Sequence, residues 1–345
     1  MCQYSADQTG PRTGAPNEWH HLHLVTRAIG GAGLIVVEAT AVSPQGRTSP
    51  ADFGLWNDTQ ASALADLVHD IERFGSVAGI QLGHAGRKGS STVPWQGKHS
   101  IPAEDPLGWH TLAPSAVPFG HFAVPQAATK DDIAQVIDDF RTAARRAHTD
   151  GFKVIELHAA HGYLIHQFLS PESNTRTDEY GGPFDNRIRL LLEVADAVRE
   201  SWPATLPLFV RLSATDWTGE EKGIESMSWT PEQSVMLAHR LREHGVDLID
   251  VSTGGNPRPR RSRSDPDTRC RSPAASSRKP GSPPRPWAVI LPEMPCTGSV
   301  GCAQSPMTLE HPHPSEVVDT RIRIVAAGSE PTDLGAGRVD AVALT

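Results

Sequence analysis

Five short apolar stretches recur along the first three quarters of the chain: Leu34–Val37, Ala78–Leu82, Val154–Leu157, Leu208–Leu212 and Leu248–Val251. Their near-continuous apolar composition is that of strands buried on both faces, as in a parallel sheet. Amphipathic segments lie between them. Ala61–Phe74 sets Leu64, Leu67, Val68 and Ile71 on one helical stripe. Asp131–His148 does the same with Ile133, Val136, Ile137 and Phe140, and Asn186–Trp202 with Ile188, Leu191, Leu192, Ala195 and Val198. A further helix begins near Pro231. Phe74-Gly75, Asp150-Gly151 and His244-Gly245 stand where a helix ends before the next strand. The run Gly30-Gly31-Ala32-Gly33 precedes a strand instead of following one, so it reads as a helix-to-strand turn and not as a dinucleotide loop.

Helix and strand in alternation predict crossover units around a parallel sheet. The strand ends then choose the architecture. Glu38, Gln81, His158, Arg211 and Ser252 each close or follow an apolar stretch, which distributes polar groups over several strand ends. A barrel gathers such ends on one rim, whereas a doubly wound sheet concentrates its chemistry at a switch point. The expected fold class is therefore α/β, a (β/α)8 TIM barrel, with residues 1–256 as its body.

After Asn256 the pattern stops. Pro257 to Pro286 is dominated by Pro, Arg and Ser and has neither structural period, so residues 257–316 are expected to be irregular or disordered. Residues 317–345 bring back two weak strands, Arg323–Gly328 and Val339–Leu344, as a remnant of the final barrel strands. Too few residues separate them for a helical crossover, which takes roughly a dozen, so the last crossover is expected to be disrupted.

Composition narrows the partners. A net charge of -8 over 345 residues provides no broad cationic field for nucleic acid or an anionic membrane, which leaves a small molecule as the expected ligand. No apolar run approaches the roughly 18 residues of a membrane span, and the first 25 residues lack a signal peptide's apolar core, so a cytoplasmic location is expected. Cys2, Cys270, Cys296 and Cys302 are too sparse and too widely spaced for a disulfide framework or a zinc knuckle.

The densest chemistry lies in Glu156-Leu157-His158-Ala159-Ala160-His161-Gly162-Tyr163. Two imidazoles three positions apart at a strand end can ligate a metal, or they can donate paired hydrogen bonds to an anionic oxygen. The first reading leads to a metal-dependent barrel hydrolase but lacks a third ligand. Tyr163 favours the second, since a phenol beside the pair can deliver a proton where a carbanion develops. Gln81 presents donor and acceptor together, as a flat heterocycle edge requires, and Arg211 adds a fixed cation. From successive strand ends the three point to a planar cofactor such as a flavin.

The residues that carry this chemistry resemble those of the Old Yellow Enzyme family of FMN-dependent ene-reductases, in its thermophilic-like branch of bacterial NADPH dehydrogenases. The matching text is Met1-Cys2-Gln3-Tyr4-Ser5, GLIVVEA at 33–39, GIQLGHAGRK at 79–88, VIELHAAHGYLIHQFLS at 154–170, NTRTDEYGG at 174–182 with Asn186-Arg187, and Phe209–Ser213. The resemblance implies bound FMN, NADPH as reductant, and hydride transfer to the β carbon of an α,β-unsaturated carbonyl or nitro compound. It implies that Cys2 and Ala39 lie at the flavin ring, Gln81 at its pyrimidine portion and Arg211 at the N1–C2=O region. His158 and His161 would hold the substrate oxygen, Tyr4 would bond the activating group, Tyr163 would protonate the α carbon, and Gly328 would keep one phosphate contact. The loop from Gly89 to Phe119, with Trp95 and Trp109, is long enough for a pocket wall or a surface excursion.

The chain departs from the family at both ends. The family continues upstream of Met1-Cys2-Gln3-Tyr4 with a first barrel strand, and late in the barrel it has a glycine–arginine phosphate grip beyond Thr345. The expectation is an incomplete barrel with weakened FMN binding and with uncovered sheet edges that favour self-association. A catalytically impaired relative is the alternative outcome. The foreign text after residue 257, followed by family-like text at 335–344, fits either compensating reading-frame shifts or an inserted linker.

Overall fold

The computed structural model describes residues 13–97, 99–218 and 228–256, together with the backbone of the strand Val342–Leu344. The expectations for Cys2, Tyr4, residues 257–316 and Arg323–Gly328 lie outside the described residues.

Helix α1 (Glu18–Ile29) leads into β1 (Leu34–Ala41), followed by α2 (Asp58–Glu72), β2 (Val77–Gly83), the two-residue strands β3 (Leu112–Ala113) and β4 (Gln126–Ala127), α3 (Lys130–Thr149) and β5 (Val154–Ala159). Then come α4 (Leu164–Leu169), α5 (Phe184–Arg187), α6 (Arg189–Ser201), β6 (Leu208–Ser213), α7 (Pro231–Glu243), β7 (Leu248–Ser252) and β8 (Val342–Leu344). The helix starts are chemically specified. Asn57 and Thr129 accept the amides of Gln60 and Asp132, whose side chains reach back to the cap, and Thr230 caps α7 just ahead of Pro231. Asn17 does the same for α1, with the His20 imidazole as its reciprocal partner.

The large strands form one parallel sheet in the order β7-β6-β5-β2-β1-β8. Among the described residues the sheet is open, with β7 and β8 at its edges. Parallel pairing puts the C-terminal ends of all these strands at one edge, so Glu38, Gln81, His158, Arg211 and Ser252 share it. Each strand except β8 runs past its apolar stretch, because polar residues at the rim stay in the backbone ladder.

The two faces of the sheet differ in kind. One packs Ile35, Val37, Ile80, Leu82, Ile155, Leu157, Val210 and Leu212 against the helices, with Leu64, Phe140, Leu191 and Val198 at the centre of that core. The other carries a smaller cluster of Leu34, Val36 and Val154, with Phe209 packed against it. Strand alternation then brings Glu156 and His158 up from Val154, and Arg211 and Ser213 up from Phe209. The inner face is thus an apolar floor, a charged layer and a polar rim in succession.

Glu38 departs from this order. The β1–β2 register shifts between Val37 and Thr40, and the Glu38 carboxylate lies 3.5 Å from His20 of α1. The long connection after β2 packs back over the rim. Arg87 Nη1 donates to the Val117 carbonyl at 3.1 Å, and Phe119 sits with its ring centre 4.1 Å from Lys88 Nζ. That placement makes the end of the 89–119 loop a wall at the site.

Candidate active site

Strand β5 delivers His158 to the rim, and the chain then turns sharply. His161 takes φ 58° and Gly162 φ 70°, both left-handed. A glycine carries that conformation without cost, but His161 does so only because neighbours hold it. The His161 amide donates to Ser213 Oγ at 2.9 Å, and Lys88 Nζ donates to the His161 carbonyl at 2.7 Å and also to the Gly255 carbonyl. Lys88 is buried and clips the β5 turn to the segment after β7.

The turn places His161 Nδ1 3.3 Å from His158 Nε2, and His161 Nε2 2.6 Å from Ser252 Oγ. The order of protons follows from one obligate donor. The Ala160 amide donates to His158 Nδ1 at 3.2 Å, so a neutral His158 carries its proton on Nε2 and donates to His161 Nδ1. His161 in turn carries its proton on Nε2, toward Ser252. Both rings are held neutral. Burial pushes His158 well below the usual imidazole range, aided by Arg211, and burial with the nearby Arg211 brings His161 down to about 3. Tyr163 is nearly buried and stands edge-on to His158, with ring centres 4.8 Å apart.

Beneath this rim lies the charged layer. Gln81 Nε2 donates to Glu156 Oε1 at 2.6 Å, and Arg211 Nε lies 3.1 Å from Asp250 Oδ2. Burial, then repulsion from Asp250, raises the Glu156 carboxyl to about 7 against the opposing pull of Arg211 and Gln81. The folded state therefore keeps this proton at pH values where the unfolded chain has released it. Stability should fall as pH rises from about 4.5, the ordinary value, to about 7. Glu156→Gln should flatten that decline in urea midpoints measured across the window. An unchanged slope would show that Glu156 ionises freely in the fold.

The structure brings together His158, His161, Tyr163, Gln81 and Arg211, as the sequence suggested, and Ala39 lines a small cleft with Thr40, His84, His158 and Tyr163. Cys2, Tyr4 and Gly328 lie outside the described residues. Sequence reasoning missed Lys88, Glu156, Asp250 and the buried His166–Asp216 pair. The available signal was a polar residue inside an apolar run: His166 in Leu164–Leu169, and Asp250 in β7. Among the described residues no group of three or more acidic, His or Cys side chains is placed to hold a metal ion, and no helix is long and apolar enough to cross a membrane.

Known proteins resemble this chain in sequence and fold. The chain is 48% identical over 262 residues to an NADH:flavin oxidoreductase of Gibberella zeae, covering 74% of this chain and 62% of that one. It is 46% identical over 255 residues to an NADPH dehydrogenase of Geobacillus thermodenitrificans, covering 74% and 67%. Among solved structures, an old yellow enzyme homologue from Zymomonas mobilis superposes with a TM-score of 0.58 at 30% identity, over 70% of this chain and 65% of that one. Morphinone reductase in complex with tetrahydroNAD gives 0.58 at 29%, over 70% and 66%. The chain thus spans roughly two thirds of the length of these relatives, and the solved neighbours are barrels of the kind expected from the strand ends. Residues 1–269 match the NADH:flavin oxidoreductase / NADH oxidase family, and the chain belongs to that family.

Proposed function

We propose that this chain is the barrel portion of an FMN-dependent NADPH oxidoreductase that reduces electron-poor alkenes, α,β-unsaturated carbonyl or nitro compounds. The observation that carries the reading is the convergence of Gln81, His158, His161, Tyr163 and Arg211 at one end of the sheet, with Gln81 Oε1 buried and lacking a hydrogen-bond partner. An unsatisfied buried acceptor is costly by about 1–3 kcal/mol, and the imide N–H of a flavin supplies the missing donor. Arg211, two strands away on β6, suits the edge where negative charge gathers on reduction, and Ala39 presents a small side chain to the cleft. Cys2, Tyr4 and Gly328 join this reading through the family resemblance. FMN, when bound, supplies the two-electron carrier between NADPH and substrate.

The chain's own groups do the rest. His161 presents its Nε2 proton where Ser252 Oγ now stands, so a substrate oxygen that displaces the hydroxyl is met by an N–H of a neutral ring. That hydrogen bond strengthens as charge grows on the oxygen, which favours the transition state over the bound substrate. For His158 to join it, the His158–His161 bond must open. Tyr163, packed against His158, gives its phenolic proton to the carbon that becomes electron-rich.

The test is direct. Purified chain mixed with FMN and freed of excess should be yellow, and anaerobic NADPH oxidation should match the reduction of a probe such as cyclohexenone. Stoichiometric zinc without flavin absorbance would reassign the rim to hydrolysis.

A further inference from the structure

Behind the His161–Tyr163 turn lies a third histidine, to which the proposed chemistry gives no part. His166, on the first turn of α4, is fully buried, and its Nδ1 accepts the Gly162 amide at 2.8 Å. Its Nε2 lies 3.1 Å from Asp216 Oδ1, in the segment after β6, with both side chains sealed from solvent. Burial alone would raise the Asp216 carboxyl, but His166, the Ser170 hydroxyl and the Trp229 amide together hold it below the ordinary value. The pair spans two strand ends and stops at the backbone of the residue between His161 and Tyr163.

We propose that His166 and Asp216 are positioning residues that fix the proton of one buried imidazole so that it accepts the Gly162 amide and holds the left-handed turn. Donors and acceptors fix the state of the ring. An amide N–H can only donate, so Nδ1 must be bare, and the ring's proton must sit on Nε2, facing the carboxylate. Asp216 enforces that state, because a carboxylate only accepts. Its other oxygen is equally committed, taking the Ser170 hydroxyl at 2.6 Å and the Trp229 amide at 3.1 Å.

This second commitment makes Asp216→Asn a sharp probe. The Trp229 amide requires an oxygen at the Oδ2 position, so the new NH2 must occupy the Oδ1 position and point at His166 Nε2. The imidazole then has to move its proton to Nδ1, where it meets the Gly162 N–H donor against donor. Gly162 loses its acceptor, and the turn keeps its carbonyl contact from Gln167 Nε2 at 2.8 Å, the His161 amide bond to Ser213 Oγ and the Lys88 clip.

The role assigned to His166 rests on reading His161 and Tyr163 as substrate-contacting, but its test does not. Ring-nitrogen NMR of the unsubstituted chain, labelled at histidine, should show His166 with a pyrrole-type Nε2 and a pyridine-type Nδ1. In Asp216→Asn the two assignments should exchange. Hydrogen exchange at the Gly162 amide should accelerate about fivefold or more in Asp216→Asn and in His166→Leu, since a typical hydrogen bond contributes about 1 kcal/mol and 1.4 kcal/mol is tenfold. His166→Asn, which can place an oxygen near the Nδ1 position, should restore slow exchange.

The inference is overturned if wild-type His166 carries its proton on Nδ1, a result that needs no variant to fold. It is overturned equally if Asp216→Asn leaves tautomer and exchange unchanged, or if His166→Leu and His166→Asn behave alike. Should tautomer and exchange respond as expected while Tyr163→Phe leaves alkene turnover untouched, the positioning pair stands and the functional reading is what fails.

Discussion

Tyr163→Phe is expected to slow alkene reduction by about 10²- to 10⁴-fold, the range that a positioned proton donor contributes. Reduction of the bound cofactor by NADPH should stay near wild type. The asymmetry follows from where the phenol is needed: a proton must reach carbon only in the second half of the cycle. Lys88 Nζ, 5.8 Å from the Tyr163 ring centre, faces the charge that remains when the phenol gives up its proton. The substitution removes one oxygen from a nearly buried ring, so loss of fold is not the expected cause. Stopped-flow measurement of the two halves separates them, and equal losses in both would remove Tyr163 from the role of donor.

Gly255→Ala is expected to be among the most destabilising single changes in the barrel body. Gly255 has φ 93°, and a Cβ there would stand 2.5 Å from His161 Cα and 2.6 Å from its carbonyl carbon. The partner surface is equally closed, since a Cβ on Gly162 would come 2.3 Å from the Gly255 carbonyl oxygen. Two backbones are in direct contact, and neither can yield as a flexible side chain does. The left-handed conformation alone costs a non-glycine residue of order 1–3 kcal/mol, and the clash adds to it, so a total of about 4 kcal/mol is expected. For a domain of this size each kcal/mol lowers Tm by roughly 2–4 °C, so a drop near 10 °C should appear in thermal unfolding of the ligand-free chain. A Tm within a degree of wild type would mean that the two loops are not held together.

The fold was largely legible because its strands are buried on both faces, and such strands write themselves as apolar runs. What the runs underreport is length. β1 continues through Glu38 to Ala41, and β6 and β7 end on Ser213 and Ser252, because hydrogen-bonded backbone does not require apolar side chains. Helix α1 carried no comparable signal: its buried residues are His20, Leu24 and Ala28, a stripe in which a histidine stands for an apolar residue.

The site divides in the same way. The polar rim was visible because its residues interrupt apolar runs in a fixed place. The layer beneath was not, since Gln81 meets Glu156 across 75 positions of sequence through strand register alone. Arg211 was expected to present its charge to a ligand, yet part of that charge is already engaged by Asp250, a partner no local pattern announces.

The apolar floor under this charged layer has a consequence for the effect of salt. Surface pairs such as Lys130–Glu179 and Arg240–Asp185 stand in electrolyte, where the Debye length is about 8 Å at physiological ionic strength, and their fields fade as salt is added. Leu34, Val36, Val154 and Phe209 lie below the layer of Glu156, Arg211 and Asp250, whose carboxylates are buried, and buried charges are screened much less. The field that this layer projects onto the rim is therefore set more by the fold than by the buffer, and a charged edge docked on it is less sensitive to added salt than the surface pairs are.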